Sequence, residues 1–164
     1  MDAAFAAGWQ QADSNNPENV LSRTGYVIYY ANCPLLWSSK LQTEIALSTA
    51  ESEYIALSQA MRDVIPLIHL LTEINCVYSI HNPEPIIKCK VHEDNESCIA
   101  MCKAQKFSPR TRHIAIKYHH FRYYCDKSII QVLSIGTGDQ IADMLTKPLC
   151  EDLFKYHRMK LCGW

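Results

Sequence analysis

Leu47 to Leu71 reads LSTAESEYIALSQAMRDVIPLIHLL, and this stretch decides the fold. Ser48, with Glu51 three residues on, is a capping-box signature that opens a helix. Behind it Ala50, Tyr54, Leu57, Met61, Val64, Ile68 and Leu71 recur at three and four, the period of a single apolar helix face. The spacing predicts a long helix over about 49–74. Pro66 lies inside it and removes one backbone donor, so a kink or break is expected near Asp63 to Ile65. At roughly 100° per residue, Glu53 falls about 55° from the centre of the apolar stripe, whereas Glu51 falls about 105° away, nearer solvent. The capping box accounts for Glu51. Glu53 stands beside the core, where a carboxylate needs a partner.

Upstream, Tyr26 to Tyr30 (YVIYY) is a β-rich aromatic run, followed by a turn at Ala31, Asn32 and Cys33 and a second run from Leu35 to Ser39. These read as an antiparallel hairpin, and a further strand is expected at the very start of the chain. Downstream, Ser79 to Pro85 (SIHNPEP) is turn chemistry. Ile86 to Val91 then alternates Ile87, Cys89 and Val91 against Lys88, Lys90 and His92, a strand with one wet face. Asn95 to Ala104 reads as a short helix, Arg112 to Asp126 as a longer one and Ile129 to Leu133 as a strand. Asp139 to Leu145 and about Glu151 to Leu161 read as two more helices. This order predicts an α/β architecture, a mixed central sheet flanked by helices, in one domain over 1–164 with 149–164 as a C-terminal helical extension.

Bulk composition agrees, because 164 residues at 48% hydrophobic content suffice for one domain with its own core. No apolar run approaches the roughly 20 residues that span a bilayer, and no signal-peptide pattern opens the chain, so an intracellular protein away from membranes is expected, monomeric as an isolated domain. The eight cysteines are dispersed without a Cys-x-x-Cys and read as reduced, mostly buried thiols. Cys89 with His92 resembles half a zinc site that lacks its second half. Charge is unevenly distributed: residues 1–102 carry 5 basic and 12 acidic side chains, whereas 103–127 carry 7 basic against one acid, Asp126. That basic stretch is interleaved with Phe107, Tyr118, Phe121, Tyr123 and Tyr124, which suits a phosphate-backbone contact or a solvated helix face. His113, His119 and His120 within it read as helix surface or phosphate contacts, because no acid or cysteine completes a metal set.

Beyond Glu53, three further acids stand out. Asp94 ends a strand just before a helix, where it or Asn95 serves equally well as N-cap. Asp143 follows Asp139, the expected cap of its helix, and is left unexplained among Ile141, Ala142, Met144 and Leu145. Local pattern is silent on Asp2. Hydrolysis of a phosphodiester between two divalent ions needs several convergent carboxylates that hold the metals roughly 4 Å apart, and these four are spread along the chain where such convergence can be tested.

The residues now carry a family resemblance. Met1 to Trp9 (MDAAFAAGW), Arg23 to Tyr26 with Leu36 to Lys40 (LWSSK), Leu47 to Leu57 (LSTAESEYIAL), Asp94 to Ala100 (DNESCIA), Arg110 to Arg122 (RTRHIAIKYHHFR) and Asp139 to Leu149 (DQIADMLTKPL) run in one order. Together they resemble the ribonuclease H domain of copia-type retrotransposon polyproteins over essentially the whole chain. The resemblance implies a ribonuclease H-like fold, with the first half of the N-terminal strand missing ahead of Met1. It also implies that Asp2, Glu53, Asp94 and Asp143 are catalytic carboxylates holding two Mg²⁺ ions, with Mn²⁺ as a substitute. Asn95, Arg110, Arg112 and Lys117 become substrate contacts. The implied reaction is hydrolysis of the RNA strand of an RNA/DNA hybrid, next to the reverse transcriptase portion of the same polyprotein, in the cytoplasm or a retrotransposon particle. A catalytically weak nucleic-acid-binding or bracing module of a reverse transcriptase is the alternative. The chain departs from the family at Ala4, where a second acid is usual, at Pro66, where a bulky aromatic is usual, and at Ile135 to Asp139 (IGTGD), a loop without the histidine that some ribonucleases H carry.

Overall fold

The computed structural model describes residues 1–8, 17–78, 87–104 and 119–164. Strands β1 (Asp2–Ala4), β2 (Arg23–Tyr30) and β3 (Cys33–Leu41) form an antiparallel sheet in the order β1-β2-β3. The β2–β3 hairpin turns on Ala31 and Asn32, both at positive φ (52° and 62°), as a two-residue hairpin loop demands. The ladder shifts register after Ile28, so that Tyr29 pairs with Pro34. Helix α1 (Thr49–Tyr78) packs across β1 and β2. Then follow β4 (Cys89–Glu93), α2 (Glu96–Lys103), α3 (Arg122–Asp126), β5 (Ile130–Ser134) and α4 (Glu151–Cys162), with β4 and β5 paired in parallel.

One mixed sheet was expected; the described strands instead form two ladders, one of three strands and one of two. One edge of β1 pairs with Arg23 to Gly25, and toward β4 the Met1 nitrogen donates to the His92 carbonyl (3.0 Å). Beyond it a cavity of about 740 Å³ separates Tyr26–Tyr29 of β2 from Cys89–His92 of β4 and reaches Ala60, Met61 and Val64 of α1.

Helix α1 also departs from expectation, since it runs without a break through Pro66. Pro66 and Arg62, whose carbonyl loses its helical donor, are both exposed, so solvent can hydrate that carbonyl and the ring disturbs no packing. The first half of α1 is covered on all sides: every residue from Glu51 to Ser58 is buried. The sheet lies on one side, and on another Tyr54 bonds His119 Nδ1 (2.7 Å) and stacks on Phe121, while Ser58 reaches His120 Nδ1 (3.5 Å). His119 and His120 therefore brace α1 and are not free helix surface. His113 lies outside the described residues, as do residues 112–118 of the helix expected over Arg112 to Asp126, of which Arg122–Asp126 is helical. Tyr54, Ile55, Leu57, Met61, Val91, Ile99, Phe121, Ile130 and Val132 form the core.

Two smaller expectations change. Four of the eight cysteines, Cys33, Cys76, Cys150 and Cys162, are exposed, whereas Cys98 and Cys102 are buried. Residues Asp139 to Leu145 do not form an α-helix; they make two 3₁₀ turns, Thr137–Asp139 and Ile141–Leu145, too short to propagate helical hydrogen bonding.

Candidate metal centre

Asp2, Glu53, Asp94 and Asp143 arrive from β1, α1, the end of β4 and the second 3₁₀ turn, and they meet. Oxygens of Asp2, Asp94 and Asp143 lie within 4.8 Å of one another, and Asp94 also shares a group of the same span with Glu53 and Glu93. Asp94 thus belongs to both groups. Exposure is 2% for Asp2, 6% for Glu53 and 1% for Asp143, so these are interior carboxylates, not a solvated acidic surface.

Local structure explains each placement. Asp2 sits opposite Gly25, and a Cβ built on that glycine would lie 2.6 Å from Thr146 Cγ2 and 3.1 Å from the Ala142 carbonyl. The bare glycine is the seat on which the Ile141–Leu145 turn rests. Thr146 then donates its hydroxyl to Asp2 Oδ2, Lys147 pairs with Asp143 Oδ2 at 2.9 Å, and Gln140 Nε2 donates to the Met1 carbonyl at 2.7 Å. Asp139, expected to cap Asp143's helix, points elsewhere: it binds Tyr156 (2.8 Å) and Lys160 (3.0 Å) of α4. Asn95 caps α2 by accepting from the Cys98 amide (3.0 Å), which decides the even choice between it and Asp94 and leaves Asp94 to the acid group. Asn95 keeps only its side-chain NH₂ for any substrate. Arg110, Arg112 and Lys117 lie outside the described residues.

Glu51 is buried, not solvent-facing. Its carboxylate accepts from the Leu47 amide (2.9 Å) while its own amide donates to Ser48 Oγ (3.2 Å), a variant of the expected capping box. Sequence reasoning missed Glu93. It ends β4 completely buried, and the alternation Ile87, Cys89, Val91, carried one step further, would have pointed it inward. Lys147, four residues past Asp143, carried the signal of a helical ion pair.

The electrostatics call for positive charge. At 4 Å and an effective dielectric of about 20, two carboxylates repel by about 4 kcal/mol, so the full set cannot ionise on its own. Burial, followed by Glu93, Asp2 and Asp94, pushes Glu53 up to about 10. Burial pushes Glu93 up to about 7, against the pull of the Asn95 amide, and Asp143 up to about 6, against Lys147. Oε2 of Glu53, Oε2 of Glu93 and Oδ1 of Asp143 are buried without a hydrogen-bond partner. Orphaned carboxylate oxygens cost free energy unless something positive meets them. An all-oxygen donor set fits a hard divalent cation such as Mg²⁺ or Mn²⁺.

Comparison with known proteins now bears on this site. The chain is 35% identical over 158 residues to the retrovirus-related Pol polyprotein from transposon TNT 1-94 of Nicotiana tabacum, covering 92% of this chain and 11% of that protein. It is 32% identical over 148 residues to those from transposons RE1 and RE2 of Arabidopsis thaliana, in each case covering 90% of this chain and 10% of the relative. The chain resembles one segment of plant retrotransposon Pol polyproteins. It spans about a tenth of their length. No family model and no solved structure matches it. No helix among the described residues is long and apolar enough to cross a membrane.

Proposed function

We propose that this segment is the ribonuclease H portion of a retrotransposon polyprotein, cutting the RNA strand of RNA/DNA hybrids formed during reverse transcription. One observation carries the reading: Asp2, Glu53 and Asp143, each from its own element, are grouped around Asp94, and buried oxygens of Glu53 and Asp143 lack partners. Asp2, Glu53, Asp94 and Asp143 would hold two divalent ions, whose Lewis acidity would serve hydrolysis of the phosphodiester to 5′-phosphate and 3′-hydroxyl ends. The chain's own part is positional. Thr146 and Lys147 fix Asp2 and Asp143 by one oxygen each, and Gly25 of β2 lets the turn that carries Asp143 approach the sheet beside Asp2. Asn95, locked as a cap beside Asp94, has its NH₂ to offer a phosphate or a 2′-hydroxyl, the group that marks RNA. The basic stretch 103–127 grips flanking phosphates, and the reverse transcriptase portion of the same polyprotein is the partner that delivers the hybrid.

A labelled RNA/DNA hybrid incubated with Mg²⁺, Mn²⁺ or EDTA, beside Asp94→Asn, tests this. Metal-dependent cleavage is expected, falling by about 10²–10³ in the variant, the scale of losing one preorganised electrostatic group. Equal cleavage by wild type and variant removes the reading. Hybrid binding without cleavage in any metal points instead to a non-cutting nucleic-acid-binding module.

A further inference from the structure

We propose that Glu93 is a fifth metal-binding carboxylate of this chain, which completes an inner cation position with Glu53 and Asp94 beside an outer one made by Asp2, Asp94 and Asp143. The proposal deepens the reading above and rests on it only for the class of ligand, a hard divalent cation.

The geometry separates the two positions. In the outer group, Asp2 Oδ2 already accepts from Thr146 and Asp143 Oδ2 already pairs with Lys147. The inner group is helped less completely: the Asn95 amide and the Met1 ammonium act on Glu93 and the Ala3 amide on Glu53, yet one oxygen of each carboxylate stays bare. Glu93 is 0% exposed, with Oε1 held by the Asn95 amide at 3.0 Å and Oε2 without a partner. Glu53, across from it on α1, likewise presents an unpartnered Oε2. Their ligand oxygens and one from Asp94 fall within 4.8 Å of one another. Two buried carboxylates from different elements, each with one oxygen left without a hydrogen-bond partner and both grouped with a third carboxylate, form an all-oxygen donor set. One carboxylate oxygen anchored to backbone and the other presented is how a supporting hydrogen bond orients a metal ligand. The placement follows from the strand: β4 turns Val91 into the core, and two residues on the same pleat turns Glu93 toward α1.

The competing arrangement is a Glu53–Glu93 pair that shares a proton and never meets a metal. Counting bound Mn²⁺ by the loss of free-ion electron paramagnetic resonance signal, with calorimetric titration of Mg²⁺, separates the two, using the full chain without nucleic acid. Wild type is expected to take up two ions. Glu93→Gln, close in shape to the acid, keeps one and binds the second at least tenfold more weakly, within the range for lost metal-supporting groups. Asp143→Asn weakens the other ion instead. If Glu93→Gln does not fold, Glu93→Asp replaces it: a carboxylate drawn back by one methylene weakens the second ion by the same criterion. Two ions bound with unchanged affinity in whichever variant folds, or fewer than two in wild type, overturns the proposal. Because no hybrid is present, a chain that binds two ions through Glu93 but cuts nothing refutes the ribonuclease reading alone. Hybrid cleavage with metal affinities indifferent to Glu93 refutes this proposal alone.

Discussion

Replacing Glu53 by glutamine should stabilise the metal-free protein, the reverse of what removing a buried side-chain charge usually does. Burial, then the neighbouring Glu93, Asp2 and Asp94, raises Glu53 from its ordinary 4.5 to about 10, so at neutral pH the folded chain keeps a proton that the unfolded chain has released. A folded-state pKa raised above the unfolded one gives stability that is fully present below pH 4.5 and lost as pH rises toward 10. The loss is about 1.4 kcal/mol per pH unit across that window. At pH 7 it comes to about 3 kcal/mol, and at pH 5 to under about 1 kcal/mol. Glu53→Gln keeps the shape and deletes the titration. Urea unfolding in EDTA should therefore find the variant more stable than wild type by about 3 kcal/mol at pH 7 and by much less at pH 5. Glu93, raised to about 7, is one of the causes of the Glu53 shift, so the difference between the two proteins reports Glu53 together with its interaction with Glu93. Saturating Mn²⁺ should reverse the order, because the neutral glutamine oxygen is a weaker ligand than the carboxylate it replaces. A variant that is less stable in EDTA, or a difference that does not grow with pH, refutes the reasoning.

Gly25→Ala should cost about 1–3 kcal/mol, because its methyl meets Thr146 Cγ2 at 2.6 Å, Leu145 Cβ at 3.0 Å and the Ala142 carbonyl at 3.1 Å, and that backbone cannot swing aside. Hybrid cleavage should fall with it as Asp143 is displaced; wild-type melting and activity would show that the turn does not rest there. His157 of α4 is completely buried with neither ring nitrogen bonded, and burial lowers its pKa. The unfolded chain therefore takes up a proton below about pH 6.5 that the folded one resists, and stability drains as pH falls through that value. His157→Leu should remove this acid sensitivity and add about 1 kcal/mol, read by urea unfolding at pH 5 and pH 8. Lower stability at both pH values would contradict it.

The sequence disclosed what depends on local period and chemistry. The hairpin, the long helix, β4, α2 and α4 follow from apolar spacing and cap residues, and Glu53 was marked out by its angle to the stripe of α1. Less legible was anything set by distant packing. Glu51 is roofed over by segments the helix pattern cannot see, and Pro66 is tolerated only because it faces solvent. The Asp139 to Leu145 stretch has helical spacing, yet its geometry is set by Gly25 and by Asp139's bonds to α4. Asp2 had no local signal; only its partner strand and Thr146 place it. Glu93 was within reach of the alternation rule, which was followed only as far as His92 and so stopped one residue short of it.

Asp2 meets Thr146 across 144 positions of sequence, and Met1 meets Gln140 across 139. The hairpin and α1 can form from neighbours in the chain, but the acid cluster must wait for a loop of nearly the whole polypeptide to close, a step whose entropy is unfavourable and whose contacts come late. A chain still being synthesised, or nicked and separated anywhere between β2 and the last 3₁₀ turn, therefore has secondary structure but no cluster. Repulsion among the carboxylates opposes that final closure as well, and the proton on Glu53 and the Lys147 ammonium on Asp143 are what the chain itself sets against it.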